Sequence, residues 1–153
     1  MKKLVAGILV CCFMMSSAGV IFAEGKKGTA AEAVAMVKKA IQYIDANGRE
    51  KAFAEFSNPK GKFIAGDLYI TVYDMNGTCL AHGFNQKMVG KNMIDLKDPD
   101  GKAFVKERIE TAKTKDKFWL DYKYINPMSK QIEQKSQYVE KSGELLVNCG
   151  IYK

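Results

Sequence analysis

Hydrophobic residues recur along this chain with two periods, and the change from one to the other falls near residue 67. Before it, Ala33, Val34, Val37, Ala40, Ile41 and Ile44 follow the spacing of one helix face, with Lys38 and Lys39 opposite. Thr29 followed by Glu32 makes a capping box, a pair that satisfies two backbone N–H groups at a helix start. Asn47-Gly48 interrupts the pattern. Residues 49–56 predict a second, short helix carrying Ala52, Phe53 and Phe56, ended by Asn58-Pro59 and Gly61.

From Asp67 the period is 2. Leu68, Ile70 and Val72 alternate with Tyr69, Thr71 and Tyr73, so both faces are largely apolar or aromatic, as in a strand buried on two sides. Asp74-Met75-Asn76-Gly77 is a hairpin turn, and residues 78–81 form the return strand. Residues 82–101 are rich in Gly, Asn, Lys and Asp and predict irregular chain. Residues 103–114 predict a helix with Phe104, Val105 and Ile109 as its stripe. Three strands follow, 118–124, 132–140 and 145–152, with turns at Asn126-Pro127 and Ser142-Gly143. This order predicts an α+β fold built on one five-stranded antiparallel sheet. The N-terminal helix covers one face and the 82–117 insert the other, a setting in which an irregular cover can enclose a ligand pocket.

Composition narrows the class. At 153 residues, 47% hydrophobic and 27% charged, the chain suits one folded domain and excludes wholesale disorder. The net charge of +7 is spread along the chain, a solubility or steering feature with no nucleic-acid footprint. One histidine, His82, excludes a multi-histidine metal centre. Asp98, Asp100 and Gly101 lack the later ligands of a calcium loop and are expected to form a turn and a helix cap. Lys2 and Lys3 precede an apolar run over residues 4–15, too short to span a bilayer core of ~30 Å. With Ser16, Ser17, Ala18, Gly19 and then Ala23, residues 1–23 are expected to be a signal peptide cut after Ala23, with Ala18 as a second position. Residues 24–153 are then a single exported domain, periplasmic in a Gram-negative cell. Cys11 and Cys12 leave with the leader and lack the small preceding residue of a lipidation site. The compartment permits a Cys79–Cys149 disulfide.

Gly61-Lys62-Phe63, Asp67-Leu68-Tyr69 and Tyr73-Asp74-Met75-Asn76-Gly77 resemble the opening of the single Cache family of extracytoplasmic sensor domains. The resemblance continues through Ala81-His82-Gly83, Val89-Gly90-Lys91-Asn92 and Asp98-Pro99-Asp100-Gly101-Lys102, then Trp119, Asp121-Tyr122, Asn126-Pro127, Lys135-Ser136 and Tyr138-Val139. It covers roughly residues 30–152. It implies a PAS-like sheet with the five strands, numbered along the chain, in the order 2-1-5-4-3. It also implies a pocket between the sheet and the insert that binds small organic acids. Under that order Cys79 and Cys149 lie on second-neighbour strands, nearly twice ~4.8 Å apart, and a disulfide is disfavoured. No transmembrane helix and no kinase or chemotaxis module follows Tyr152, so a soluble domain presenting its ligand to a membrane sensor or chemoreceptor is expected. The alternative is a structural or adaptor protein without a small-molecule ligand.

The candidate ligand-binding residues are Tyr69, His82, Trp119, Tyr122, Lys135 and Tyr138. A strand lysine facing a closed cavity is costly unless an anion neutralises it, which is what a carboxylate does; an outward Lys135 guarding a sheet edge is the alternative. His82 offers a hydrogen-bond donor whose charge responds near neutral pH, or else a strand-end histidine bonded to backbone. Trp119 would form a pocket wall and a tyrosine hydroxyl would bond a carboxylate, against a role as ordinary core aromatics. Strand geometry sends Trp119 and Tyr122 to opposite faces, and Lys135 and Tyr138 likewise, so the six cannot all line one pocket. No nucleophile–base pair is legible, and no enzyme, metal or cofactor is expected. A monomer or weak dimer is expected.

Overall fold

In the computed structural model, which describes residues 27–153, the chain enters helix α1 (Ala30–Asn47) through the expected capping box. Thr29 Oγ1 accepts the Glu32 N–H at 3.3 Å and a Glu32 carboxylate oxygen accepts the Thr29 N–H at 2.8 Å. Ala33, Val37, Ala40 and Ile44 form its buried stripe. Gly48, at φ +79°, turns the chain into α2 (Arg49–Phe56), a conformation costly for any residue with a Cβ. The expected leader, with Cys11 and Cys12, lies outside the described residues.

The strands are β1 (Ile64–Ala65), β2 (Leu68–Asp74), β3 (Cys79–His82), β4 (Lys117–Ile125), β5 (Ile132–Ser142) and β6 (Leu145–Tyr152), with α3 (Phe104–Ala112) in the insert. All pairings are antiparallel. β2 pairs with β3 and β6, β6 with β5, and β5 with β4. The expectation of five strands is corrected to six. β1 is a two-residue strand that pairs Ile64 with Tyr69 and Ala65 with Leu68 across a turn at Gly66, and two residues carry no alternation to read.

The sheet has an apolar side of each kind of cover. Phe56, Phe63, Ile70, Val72, Val147 and Cys149 pack with α1 and α2. Val105, Ile109, Phe118, Leu120, Val139 and Leu146 pack with the insert. Burying such a side chain contributes about 1.5–3 kcal/mol each, which is why β2 and β6 are apolar on both faces. Asp98, Asp100 and Gly101 form the expected turn, the Gly101 N–H donating to the Asp98 carbonyl, but the expected helix cap is corrected: Ala103 holds the N-cap of α3 without a side-chain bond. Asp98 Oδ1 accepts the Asp100 and Lys102 N–H groups, and Oδ2 accepts the Lys123 N–H at 3.0 Å, tying the insert to edge strand β4.

Both described cysteines are free and fully buried. Cys79 pairs with Tyr73 and Cys149 with Ile70, so β2 separates their strands. They also lie on opposite faces: Cys79 packs with the insert and Cys149 with the helices, its Sγ 3.7 Å from Met36 Sδ. Burial pushes the thiols up to about 11 and about 12, and the thiolate is the reactive form. A protein spanning residues 27–153 should therefore show two thiols by dithiopyridine titration after denaturation without reductant, and negligible reaction while folded. A titre of zero would require a different arrangement of β2, β3 and β6.

Candidate functional site

Residues of β5 alternate between the two covers. Lys135, Gln137 and Val139 face the insert, and Ser136, Tyr138 and Glu140 the helices. Lys135 is 1% exposed. Its stem lies across Gly150 of β6, where an added Cβ would stand 2.4 Å from Lys135 Cε. Only a glycine leaves room for that path.

The ammonium donates to Tyr69 Oη at 2.7 Å and Tyr152 Oη at 3.1 Å. Those hydroxyls are 3.2 Å apart, and Tyr152 donates to the Ile125 carbonyl at 2.8 Å. Because Tyr152 spends its proton there, Tyr69 is the donor within the tyrosine pair. The rings of Tyr69, Tyr152 and Tyr124 lie 4.1, 4.7 and 5.6 Å from Lys135 Nζ. Among the described residues Lys135 has no ion-pair partner. Burial therefore pushes its pKa down to about 7, with Arg108 adding to the fall and Asp67 and Cys149 opposing it.

A second polar row runs beside the first. Gln137 Oε1 accepts from Arg108 Nη2 at 2.6 Å and from Tyr122 Oη at 3.0 Å, and Gln137 Nε2 donates to Thr71 Oγ1 at 3.3 Å. Asn148 Nδ2 donates to the Thr71 and Leu146 carbonyls. Burial raises the Tyr69, Tyr122 and Tyr152 hydroxyls well above their ordinary range, so all three stay neutral.

Four of the six expected residues meet on this face. Tyr69, Lys135 and His82 are clustered, the His82 ring stacked on Tyr69 at 5.3 Å, and Tyr122 sits one row away, stacked on Phe104. His82 Nδ1 accepts the Phe84 and Asn85 N–H groups, which leaves Nε2 to carry the proton. Burial, then Lys135 and Arg108, pushes its pKa down to about 3, so the expected response near neutral pH is corrected: the ring is a fixed neutral donor. Trp119 and Tyr138 are not brought to the site. Both lie on the helix face, 5.4 Å apart, Tyr138 donating to Glu140. Trp119 is 41% exposed and, with Ala31, Val34 and Lys38 of α1, lines an open surface groove.

Sequence reasoning missed Tyr152, Gln137, Thr71 and Arg108. Arg108 had a signal: with Phe104 and Ala112 it continues the buried stripe of α3, and an arginine on a core-facing stripe is rare unless paired. Gly150 had another, since a glycine inside a strand marks close approach by a neighbour.

Among the described residues no group of His, Cys, Asp and Glu is placed to hold a metal, and no helix is long and apolar enough to cross a membrane. Compared with known proteins, residues 23–153 match the family model described as Single Cache domain 2. Over 88 residues, 56% of this chain, it is 34% identical to the sensor histidine kinase MctS of Rhizobium johnstonii, and it spans 19% of that protein's length. A methyl-accepting chemotaxis protein from Vibrio parahaemolyticus superposes with a TM-score of 0.67 at 25% identity, covering 80% of this chain and 86% of that one. A Cache chemosensory domain, whose structure concerns carboxylic acid recognition, gives 0.67 at 23% identity over 80% and 91% of the two chains. The periplasmic sensor domain of a chemotaxis protein gives 0.63 at 19% over 78% and 86%. The last two are likenesses of fold alone.

The Lys135 environment has a stability signature. The unfolded lysine binds its proton up to its ordinary pKa of 10.5, the folded one only up to about 7. Between those values the unfolded state holds more protons, so stability rises with pH. Urea unfolding of the ligand-free protein should gain about 2 kcal/mol from pH 7 to pH 9 relative to Lys135→Met, in which this slope vanishes. Parallel pH profiles for the two proteins would mean that Lys135 is hydrated.

Proposed function

The chain belongs to the single Cache domain 2 family, and on that premise we propose that it is an exported sensor-type module that binds a short-chain carboxylate on the insert face of its sheet and presents it to a membrane sensor. The observation that carries the reading is Lys135, fully buried and, among the described residues, bonded only to tyrosine hydroxyls. A carboxylate supplies the negative charge this ammonium lacks. The neutral Tyr69 hydroxyl, whose proton can turn from Tyr152 to the ligand, and the His82 ring stand beside it as further donors, while Tyr152 keeps its proton on the Ile125 carbonyl. The whole arrangement recognises an anion by charge and hydrogen bonds; it contains no activated nucleophile, so binding is the proposed activity rather than catalysis.

A Cache domain whose structure concerns carboxylic acid recognition shares this fold, and the ligand class proposed here rests on Lys135. The likeness to a sensor histidine kinase supports a sensory output. The leader expected over residues 1–23 supports export to the periplasm. A second reading draws on the same contacts: the two hydroxyls already satisfy part of the ammonium, as in an adaptor whose cavity is filled by its own side chains. Melting the purified protein against C2–C4 organic acids separates the two. Ligand at 100 times its dissociation constant stabilises by ~2.7 kcal/mol, whereas an adaptor melts at one temperature throughout.

Two further outcomes follow from the site. Lys135→Met should lower affinity for the stabilising acid roughly 10- to 100-fold in calorimetry while the fold persists, the worth of one charge-assisted hydrogen bond. An unchanged dissociation constant would move the anion site elsewhere. In the wild type, binding should also weaken as pH rises. An anion binds the protonated lysine, whose free-state pKa is about 7, so affinity is level below that value and falls about tenfold per pH unit above it. The titratable and charged groups around Lys135 are Tyr69 from β2, Tyr152 from β6, Tyr124 from β4, His82 from β3, Asp67 ahead of β2 and Arg108 from α3, with Cys149 of β6 acting from the opposite face. The tyrosines and Cys149 titrate well above this window and His82 below it. A flat profile between pH 6 and 9 would contradict the assignment.

A further inference from the structure

The insert face holds a second buried cation with more unused hydrogen-bonding capacity than the first. Arg108, on α3, is 1% exposed. Its Nη2 donates to Gln137 Oε1, but Nε and Nη1 are buried without a hydrogen-bond partner among the described residues. Among the described residues it has no ion-pair partner either. The rings of Tyr73, Phe104 and Tyr122, 4.8, 5.8 and 6.0 Å from its Cζ, hold the guanidinium by its π-faces. Aromatic faces offset charge, yet they do not replace acceptors for in-plane N–H groups. A buried donor left open in a folded protein calls for an explanation, and a missing acceptor is the simplest.

The two cations are tethered at different points. Arg108 is held at Gln137, and Lys135 enters the same face two residues earlier on β5, a rise of roughly 6.6 Å. Each packs against one ring of an adjacent pair: Arg108 Cζ lies 6.0 Å from Tyr122 and Lys135 Nζ 5.6 Å from Tyr124, with those rings 6.0 Å apart. One carboxylate on Lys135 leaves the guanidinium buried with its charge and two donors unanswered. A molecule with a carboxylate at each end answers both and cancels both charges.

We infer that the ligand is a short dicarboxylate, one carboxylate received by Lys135 with the Tyr69 hydroxyl and the other by Arg108. The inference rests on the carboxylate reading above and names the class within it; Arg108 is the residue that selects for the second charge.

The test compares two four-carbon acids that differ only in the second carboxylate. Calorimetric titration of the purified chain at pH 6 with succinate and with butyrate should give succinate at least ~10-fold tighter binding, the worth of one charge-assisted contact. Arg108→Gln should erase that advantage by weakening succinate while leaving butyrate within about threefold, and Arg108→Lys, which keeps the charge, should restore part of it. Should Arg108→Gln fail to fold, the wild-type ratio decides alone. Equal affinity for the two acids, or parallel losses of both in Arg108→Gln, would overturn the dicarboxylate assignment and leave the carboxylate reading standing. Binding of neither acid, nor of any in the C2–C4 panel, would overturn both.

Discussion

An ammonium group removed from water loses several kcal/mol of solvation, and the insert face of this sheet is organised around one that, among the described residues, has no carboxylate within ion-pair distance. Lys135 reaches its position only because Gly150 lets the stem cross β6. Its charge is met by the hydroxyls of Tyr69 and Tyr152 and by three aromatic rings. The same field acts on its neighbours. It helps keep His82 neutral, while the Tyr152 hydroxyl carries the contact onward to the Ile125 carbonyl, at the β4–β5 turn.

That arrangement depends on the strict alternation of the strands. A residue on β5 belongs to one cover or the other, and a shift of one position exchanges them all. Tyr138 and Trp119 accordingly serve the helix side, next to α1, while Lys135 and Tyr122 serve the insert side. The division gives one small sheet an apolar platform on one face and a row of buried polar side chains on the other. The helix side holds the apolar cluster of Ile70, Val72, Val147 and Cys149, and the insert side tolerates a buried row of Thr71, Asn148, Gln137 and Arg108.

The insert is irregular but fastened. Asp98 takes three backbone N–H groups, one of them from β4, so the loop is tied to the edge strand before α3 begins. α3 then delivers Arg108 to the centre of the face. A cover of this kind can vary in sequence while the sheet beneath keeps its form, which fits structural likeness at TM-scores of 0.63–0.67 despite identities of 19–25%.

Periodicity alone determined the elements of this protein: the capping box at Thr29, the change of period at Asp67, the turn at Asn76-Gly77 and the three closing strands lie within a residue or two of where local chemistry puts them. These are interactions between residues close in sequence, and they leave a local trace. Alternation also showed that Lys135 and Tyr138 had to part company, but not which of them would face the insert, because both of the sheet's faces are covered. Tertiary structure decided that, and with it the company each side chain keeps. Tyr69, Tyr152 and Lys135 are separated by 66 and 17 residues, and Arg108 by 29 from Gln137. Contacts of that range are set by strand register and by the path of the insert, which no local pattern encodes.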